Sequence, residues 1–438
     1  MRNRNRIGIR KEDKNEWERR VPLVPKDMDE LSRLHGVEFA LEPFPRRAYT
    51  RDEYEAIGFT YDDNLAGCTV ILGIKEMPEV FFKPGLTYLF FSHVIKGQKH
   101  NMPMLQRLLD VGCNLIDYEK ITNEEGQRLV FFGKEAGQAG MIDTLWALGR
   151  RLIHEGIGNP FLHVRQAIEF GNLDEADNVV EEAGRYIREH GVPEKLHPIV
   201  FGFAGYGNVS KGAQGVLDNN LPVREISPKE LLDPPDGLYE SKNHVYKVIF
   251  CEKDMVVPKK SSDEFELHDY FSHPEKYEGI FPNYVPHLTV LMNCILWSEK
   301  YPRLVTKALI KKLYTEGKPK LKVIGDISID VEGACETSVK ATNSGNPIYV
   351  YDVDKGEAID GVEGNGPVIL AVDNLPSELP RESSAHFSNV LKPFIPSLAK
   401  ADFSVDFEKL EIDPALKRAV IVYHGKLTPD FEYIYEFL

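Results

Sequence analysis

The chain has 438 residues, 42% of them hydrophobic and 28% charged, about twice the usual ceiling of one compact core, so two or more domains are expected. Its net charge of −15 argues against nucleic acid as a partner, because phosphate binding needs a clustered positive surface. No apolar run approaches the ~20 residues that span a bilayer, and no apolar signal segment follows the basic start MRNRNRIGIRKEDKNEWERR, so a cytoplasmic, non-membrane protein is expected.

The first ~130 residues alternate short apolar runs with helical patterns. RIGIR reads as a strand; Val24-Pro25-Lys26-Asp27 opens a helix that stops at Gly36. VEFALEP, TVILGIKE, TYLFFSH and NLIDYEKI read as further strands, with RDEYEAIG and MPMLQRLLDVG as helices between them. Such alternation predicts a parallel sheet covered by helices. From Gly133 the pattern changes. KEAGQAGMIDTLWALGRRLIHEG is a long helix whose Ala136, Gly137, Gly140 and Ala147 would let another backbone approach closely, as in a connecting helix between domains. Glu- and Ala-rich helices follow at 164–190, and they offer a surface through which a homo-oligomer is an expectation.

A second unit carries the strands PIVFGFAG, VREI, VYKVIFC, LTVLMNCIL and KVIGDIS, with DPPDG as an internal turn. The tail holds YVYD, VILAVDN and AVIVYHG. The expected architecture is α/β, with two Rossmann-like domains. Residues 1–132 with 346–438 form a substrate domain, and the nucleotide domain 133–345 is inserted into it. Cys68, Cys113, Cys251, Cys294 and Cys335 are scattered without a Cys-x-x-Cys pair. They read as reduced, buried thiols, and no metal site is expected.

In PIVFGFAGYGNVSKGAQGVL an apolar strand runs into Gly205-Tyr206-Gly207, and a helix opens at Asn208-Val209. Gly205 permits a tight turn, Gly207 lets backbone approach a pyrophosphate, and the helix N-terminus favours that anion. The third glycine of such loops is displaced: Ser210 stands there, with Gly212 further on. The bland alternative is a plain strand-to-helix turn. Glu225, twenty residues after Gly205, can accept from an adenosine ribose and favours NAD, whereas its neighbour Arg224 suits a 2′-phosphate. The choice between NAD and NADP stays open, and so does a reading of the two as a solvated surface pair.

Arg20, Lys75 and His93 stand at strand edges in the first domain. Lysine and histidine at the C-terminal ends of parallel strands can serve as acid and base, and an arginine fork suits a carboxylate. Taken singly, each reads more readily as structural. Asp326 and Asp330 close the strand in IGDISID, either near a nicotinamide or as turn and cap residues. Lys96 reads as a solvated cation.

The strings IRKEDKNEWERRVPLVP, ILGIKEMP, FFSHVIKGQKHNM, LIDYEK, GNVSKGAQ, DISID, AVDNLPSELPRESS and HGKLTPDFEYI carry a resemblance over nearly the whole chain. It resembles the lysine–ketoglutarate reductase part of aminoadipic semialdehyde synthases, within the alanine dehydrogenase and saccharopine dehydrogenase family. The resemblance implies two domains with a cleft between them. It also implies reductive condensation of L-lysine with 2-oxoglutarate to saccharopine with NAD(P)H, or the reverse. Through it, Lys75 and His93 match the acid–base pair, and Arg20 and Arg128 match substrate arginines. Gly205–Gly207 match the pyrophosphate loop, and Asn293–Trp297 match the loop beside the nicotinamide ribose. Two departures stand out. The chain ends soon after the reductase-like tail, so saccharopine cleavage is expected to fall to another protein. Glu332 replaces a glycine expected in relatives, placing a carboxylate near the nicotinamide ribose. The rival readings are a related imine reductase or amino-acid dehydrogenase with another amine, and a non-catalytic nucleotide-binding protein.

Overall fold

The computed structural model describes residues 5–59, 61–317 and 319–438; residues 1–4 of the basic start lie outside them. In the first unit Arg6–Ile9 (β1), Glu38–Leu41 (β2), Val70–Leu72 (β3), Thr87–Phe90 (β4) and Asn114–Asp117 (β5) are almost wholly buried along both faces. That is why they read as unbroken apolar runs rather than as alternating ones. The connecting helices include Pro25–His35 (α1), Arg51–Glu55 (α2) and Met102–Val111 (α3). Pro25 occupies the first turn of α1, and left-handed Gly36 ends it by donating its N–H to the Ser32 carbonyl. The strands pair in parallel in the order β2-β1-β3-β4-β5. The tail extends this sheet: Val420–Tyr423 runs antiparallel beside β5, and Lys426–Leu427 beside it in turn.

The second unit opens with Gly133–His154 (α4) and Leu173–His190 (α5). Its strands are Val200–Ala204 (β6), Val223–Glu225 (β7), Val245–Phe250 (β8), Val256–Pro258 (β9), Tyr277–Gly279 (β10), Val290–Asn293 (β11), Val323–Asp326 (β12), Ile348–Asp352 (β13), Glu357–Asp360 (β14) and Val368–Leu370 (β15). Apart from the small β9–β10 pair, they form one sheet ordered β14-β13-β15-β12-β11-β6-β8-β7. Phe201 and Phe203 of β6 pack into one core with α4 and α5, while Val200 and Ala204 face the other core. The helix Asn208–Asn220 (α6) leaves β6 directly and packs on α4. The glycines of α4 do allow close backbone approach, but within one unit: a Cβ on Gly137 would stand 1.9 Å from the Val209 carbonyl oxygen of α6.

The two-domain α/β fold read from the sequence is the one observed, and two details differ. The sheets are mixed, because β13 and β14 are joined by a tight turn at residues 353–356 and such a hairpin can only be antiparallel. The return to the first unit comes after Leu379 rather than after Gly345: one unit is Gly133–Leu379, and the other joins the chain up to Phe132 with Pro380–Leu438. Residues 346–379 stay in the second unit because β15 pairs in parallel with β12, and β13 pairs with β15. Among the described residues, no helix is long and apolar enough to cross a membrane.

Candidate functional site

In the first unit the candidate residues Lys75 and His93 follow the ends of β3 and β4. The parallel register continues past both strands, with Gly73 N–H donating to Leu89 and Phe91 N–H donating to Ile74. Lys75-Glu76 and Ser92-His93 therefore emerge side by side. His93 has φ +53°, a left-handed conformation uncommon for a residue with a side chain. Its Nδ1 lies 2.8 Å from a Glu76 oxygen, and Lys14 Nζ is 3.5 Å from the other. Burial works against ionisation of Glu76, but His93, a backbone amide and Lys14 outweigh it and hold the carboxyl at about 2. With Nδ1 engaged, Nε2 is the ring nitrogen left to exchange a proton. Ser92 donates from both its N–H and its hydroxyl to Asp117, whose carboxyl is raised by burial.

Lys75 is positioned from its backbone. The fully buried Glu12 accepts from Ile74 N–H at 2.7 Å and from Lys75 N–H at 3.1 Å. Burial and nearby Glu18 raise Glu12 to about 7, against the pull of those amides and Arg10. Arg20 is buried, and its fork is held by Glu18 at 2.8 and 2.6 Å, with the guanidinium 4.3 Å from the Phe132 ring centroid. The adjacent Arg19 has no hydrogen-bond partner for its buried Nε and Nη2 among the described residues, and burial lowers its pKa. Arg128 lies on an exposed loop 3.4 Å from Glu119. Glu119 N–H in turn donates to Asp117, so an acidic relay links Arg128 to Ser92. The sequence reading missed Glu12, Glu76 and Arg19. Glu76 had one available signal, an acid directly after the candidate lysine in GIKE.

In the second unit Gly205 has φ +97°, and a Cβ there would crowd the Cys294 carbonyl oxygen at 3.1 Å. No side chain caps α6 at Gly207, and nothing stands within 4 Å of where a Gly207 Cβ would point. The first helical hydrogen bond runs from Lys211 N–H to Gly207. The amides of Asn208, Val209 and Ser210 thus begin the helix as donors, beside open space and beside the exposed Tyr206. This arrangement fits a dinucleotide pyrophosphate. The packing expected of the third glycine falls to Gly212, where a Cβ would meet the Lys134 carbonyl oxygen of α4 at 2.0 Å.

Glu225, like Arg224, is exposed. Together with Asp218 it holds the buried ammonium of Lys247, at 3.0 and 2.8 Å, and these two carboxylates outweigh burial to raise the Lys247 pKa. Asn293 and Asp326 come together at the ends of β11 and β12, with Asn293 Nδ2 donating to Asp326 at 2.7 Å. Ser338 donates to the other Asp326 oxygen. Burial raises Asp326 to about 6 against those two donors. Asp330 sits in an exposed turn, its carbonyl accepting from Gly333 N–H, and its charge helps to raise Asp326. Glu332 has φ +52°, which accounts for a glycine being at home there, and its carboxylate is bound by Lys307. Among the described residues no group of three or more His, Cys, Asp or Glu could hold a metal ion.

Two family models match the chain: the alanine dehydrogenase/PNT N-terminal domain over residues 8–139, and the C-terminal domain over 275–430. The chain is 36% identical over 445 residues to the alpha-aminoadipic semialdehyde synthase of Arabidopsis thaliana, covering 98% of this chain but only 41% of that protein. It therefore spans less than half of that relative. It is 27% identical to the saccharopine dehydrogenase [NAD(+), L-lysine-forming] of Emericella nidulans, covering 89% of this chain and 91% of that one. A solved L-alanine dehydrogenase superposes with a TM-score of 0.62 at 18% identity, covering 99% of this chain and all of the other, which speaks for the fold alone. The N-terminal and C-terminal domain models together match about two thirds of the chain: the chain belongs to the alanine dehydrogenase/PNT family.

Proposed function

We propose that the chain is an NAD(P)-dependent oxidoreductase that reductively condenses L-lysine with 2-oxoglutarate to saccharopine, or runs that reaction in reverse. The observation that carries the reading is the Glu76–His93 contact at 2.8 Å beside Lys75. A carboxylate on Nδ1 orients the imidazole and leaves Nε2 for proton transfer, which a binding module does not need. The relative named a lysine-forming saccharopine dehydrogenase supports the same substrates.

The residues have definite tasks in this reaction. The lysine ε-amine must lose a proton before it attacks the keto carbon, and the carbinolamine must gain one to release water. His93 and Lys75 move those protons, with Glu12 and Glu76 holding them in place. Arg20, Arg128 and Arg19 are the cations offered to substrate carboxylates. Gly205, Gly207 and the amides of Asn208–Ser210 would hold the pyrophosphate of a nicotinamide cofactor. Tyr206 would lie beside that pyrophosphate, and Glu225 would meet its ribose. Asn293, tied to Asp326, would stand on the nicotinamide side with Asp330. The cofactor supplies hydride when bound; the protein positions it.

The assay follows NADH and NADPH oxidation with lysine and 2-oxoglutarate, and then with ornithine or ammonia replacing lysine. Turnover with lysine, at a kcat reduced about 100-fold or more in His93→Gln and Lys75→Met while NAD(P)H binding holds, is the expected result. No turnover with lysine under either cofactor would overturn the reading. One observation favours the rival with a different amine: Arg20 is already bonded to Glu18, which leaves Arg19 as the cation that sets the carboxylates accepted. Efficient turnover with ornithine alone would select that rival. The five free cysteines suit a reducing compartment, and cytoplasmic location and self-association are part of this proposal. Recovery with an organelle fraction, or a monomeric mass by light scattering, would refute them.

A further inference from the structure

The second unit has another concave site, at the end of its sheet away from the glycine turn. A cavity of about 610 Å³ opens there. Its walls come from the end of α4, the segment before β6, Thr289 just before β11, the connection before β12 and the loop before β15. In a chain with net charge −15, this cavity is lined by four cations, Arg151, Lys195, Lys320 and Lys322, and one carboxylate, Glu155.

The cations divide into two classes. Arg151 and Lys322 are engaged. Each meets Glu155 at 2.8 Å, and Arg151 also donates to the Val362 and Gly364 carbonyls. Burial opposes ionisation of Glu155, but Lys322 and Arg151 overcome it and keep its pKa low. The carboxylate is therefore spent on those two partners. Lys195 and Lys320 have no carboxylate partner among the described residues. Both lysines are exposed to solvent. Partial burial lowers the Lys320 pKa, and the nearby His287 is also lowered, by burial and by Lys320. On the same wall His197 bonds the Tyr239 carbonyl through Nε2 at 2.6 Å, while its buried Nδ1 has no partner among the described residues. The helix ends here present carbonyls, which by themselves favour cations. The two lysines remain, lining a space large enough for an organic molecule.

The geometry points to a second ligand site for a small organic polyanion, a di- or tricarboxylate or a phosphate ester, held by Lys195 and Lys320. Charge-assisted hydrogen bonds to anionic oxygens are what two unpaired ammoniums in a concave wall supply. The site is separate from the glycine turn. His197 and Thr289 precede β6 and β11, whereas Gly205 and Cys294 follow them, so the two ends lie a strand length of roughly 17 Å apart. The proposal does not depend on the reaction assigned above.

The test is isothermal titration calorimetry of the full chain with citrate and, separately, with inorganic pyrophosphate. Ionic strength is held constant with NaCl, and both titrations are run with and without saturating NADH. The expected result is saturable binding of at least one of them that persists with NADH present. It should weaken about tenfold or more in Lys195→Glu/Lys320→Glu, and less in Lys195→Gln/Lys320→Gln, with turnover unchanged in both variants. The citrate and pyrophosphate arms separate a carboxylate ligand from a phosphate one. Binding displaced by NADH would assign the anion to the glycine turn and overturn the proposal. So would the absence of saturable binding, or equal binding in the charge-reversed variant with its thermal unfolding unchanged.

Discussion

Gly212→Ala sets two known effects against each other on one helix. In a helix interior, alanine is favoured over glycine by about 1 kcal/mol. At position 212 the added Cβ would lie 2.0 Å from the Lys134 carbonyl oxygen, with the Lys134 carbonyl carbon and Cα at 2.9 and 3.1 Å. Ordinary contact begins near 3.4 Å, so α6 must withdraw from α4 by about 1.4 Å. The obstacle is backbone, and no flexible side chain can swing aside. Overpacking of this kind costs about 3 kcal/mol, the upper end of its usual range. After the helix-propensity gain the expected net loss is about 2 kcal/mol, or roughly 4–8 °C in Tm for a unit of this size. Because α6 carries the glycine turn at its head, NADH affinity should fall as well. Gly215→Ala is the control: it lies on the same helix with nothing within 4 Å of the new Cβ, so it should be neutral or stabilising by up to about 1 kcal/mol. Differential scanning calorimetry and NADH fluorescence titration read both quantities. If Gly212→Ala matches Gly215→Ala in Tm and in NADH Kd, the close α4–α6 contact does not position the loop.

Glu76 is depressed to about 2 from 4.5, so its stabilisation is present above pH 4.5 and lost as pH falls through 2. Glu76→Gln should cost about 3 kcal/mol at pH 7 and flatten the acid limb of stability; an unchanged limb in urea unfolding would refute this. Glu12 has the opposite sign. Raised to about 7, it favours the folded state most below pH 4.5, and that advantage of about 3 kcal/mol is lost as pH rises through 7. Glu12→Gln should remove this slope between pH 4.5 and 7, and a slope like that of the parent chain would count against the buried-acid reading. Glu225→Ala releases the Lys247 ammonium from one of its two carboxylates. It should shift the NADPH-to-NADH ratio of kcat/KM toward NADPH by about tenfold, or 1.4 kcal/mol. An unmoved ratio would remove Glu225 from cofactor choice.

Much of the fold is legible in local pattern. The apolar runs at RIGIR, VILGIK, TYLFF and VFGFA are strands because both faces of each sheet are covered, so every side chain must be apolar whichever way it points. Gly36 and Gly112 end helices in left-handed conformations that other residues avoid. The tail is different: VILAVDN extends the second sheet while AVIVYHG extends the first, and both read alike because a strand's composition records burial and not the identity of its neighbour.

The site divides in the same way. Sequence determined which residue types stand at strand ends and that a glycine turn opens α6, since these follow from order along the chain. Tertiary structure alone decided that Glu76 meets His93, that Glu12 grips the Lys75 backbone from 63 residues away, that Arg20 is held by Glu18, and that Glu225 serves Lys247. Ionic and hydrogen-bonded partners are chosen by which strands lie side by side and by what burial makes costly to leave unpaired. Neither is written in spacing, and both appear only once the sheets are assembled.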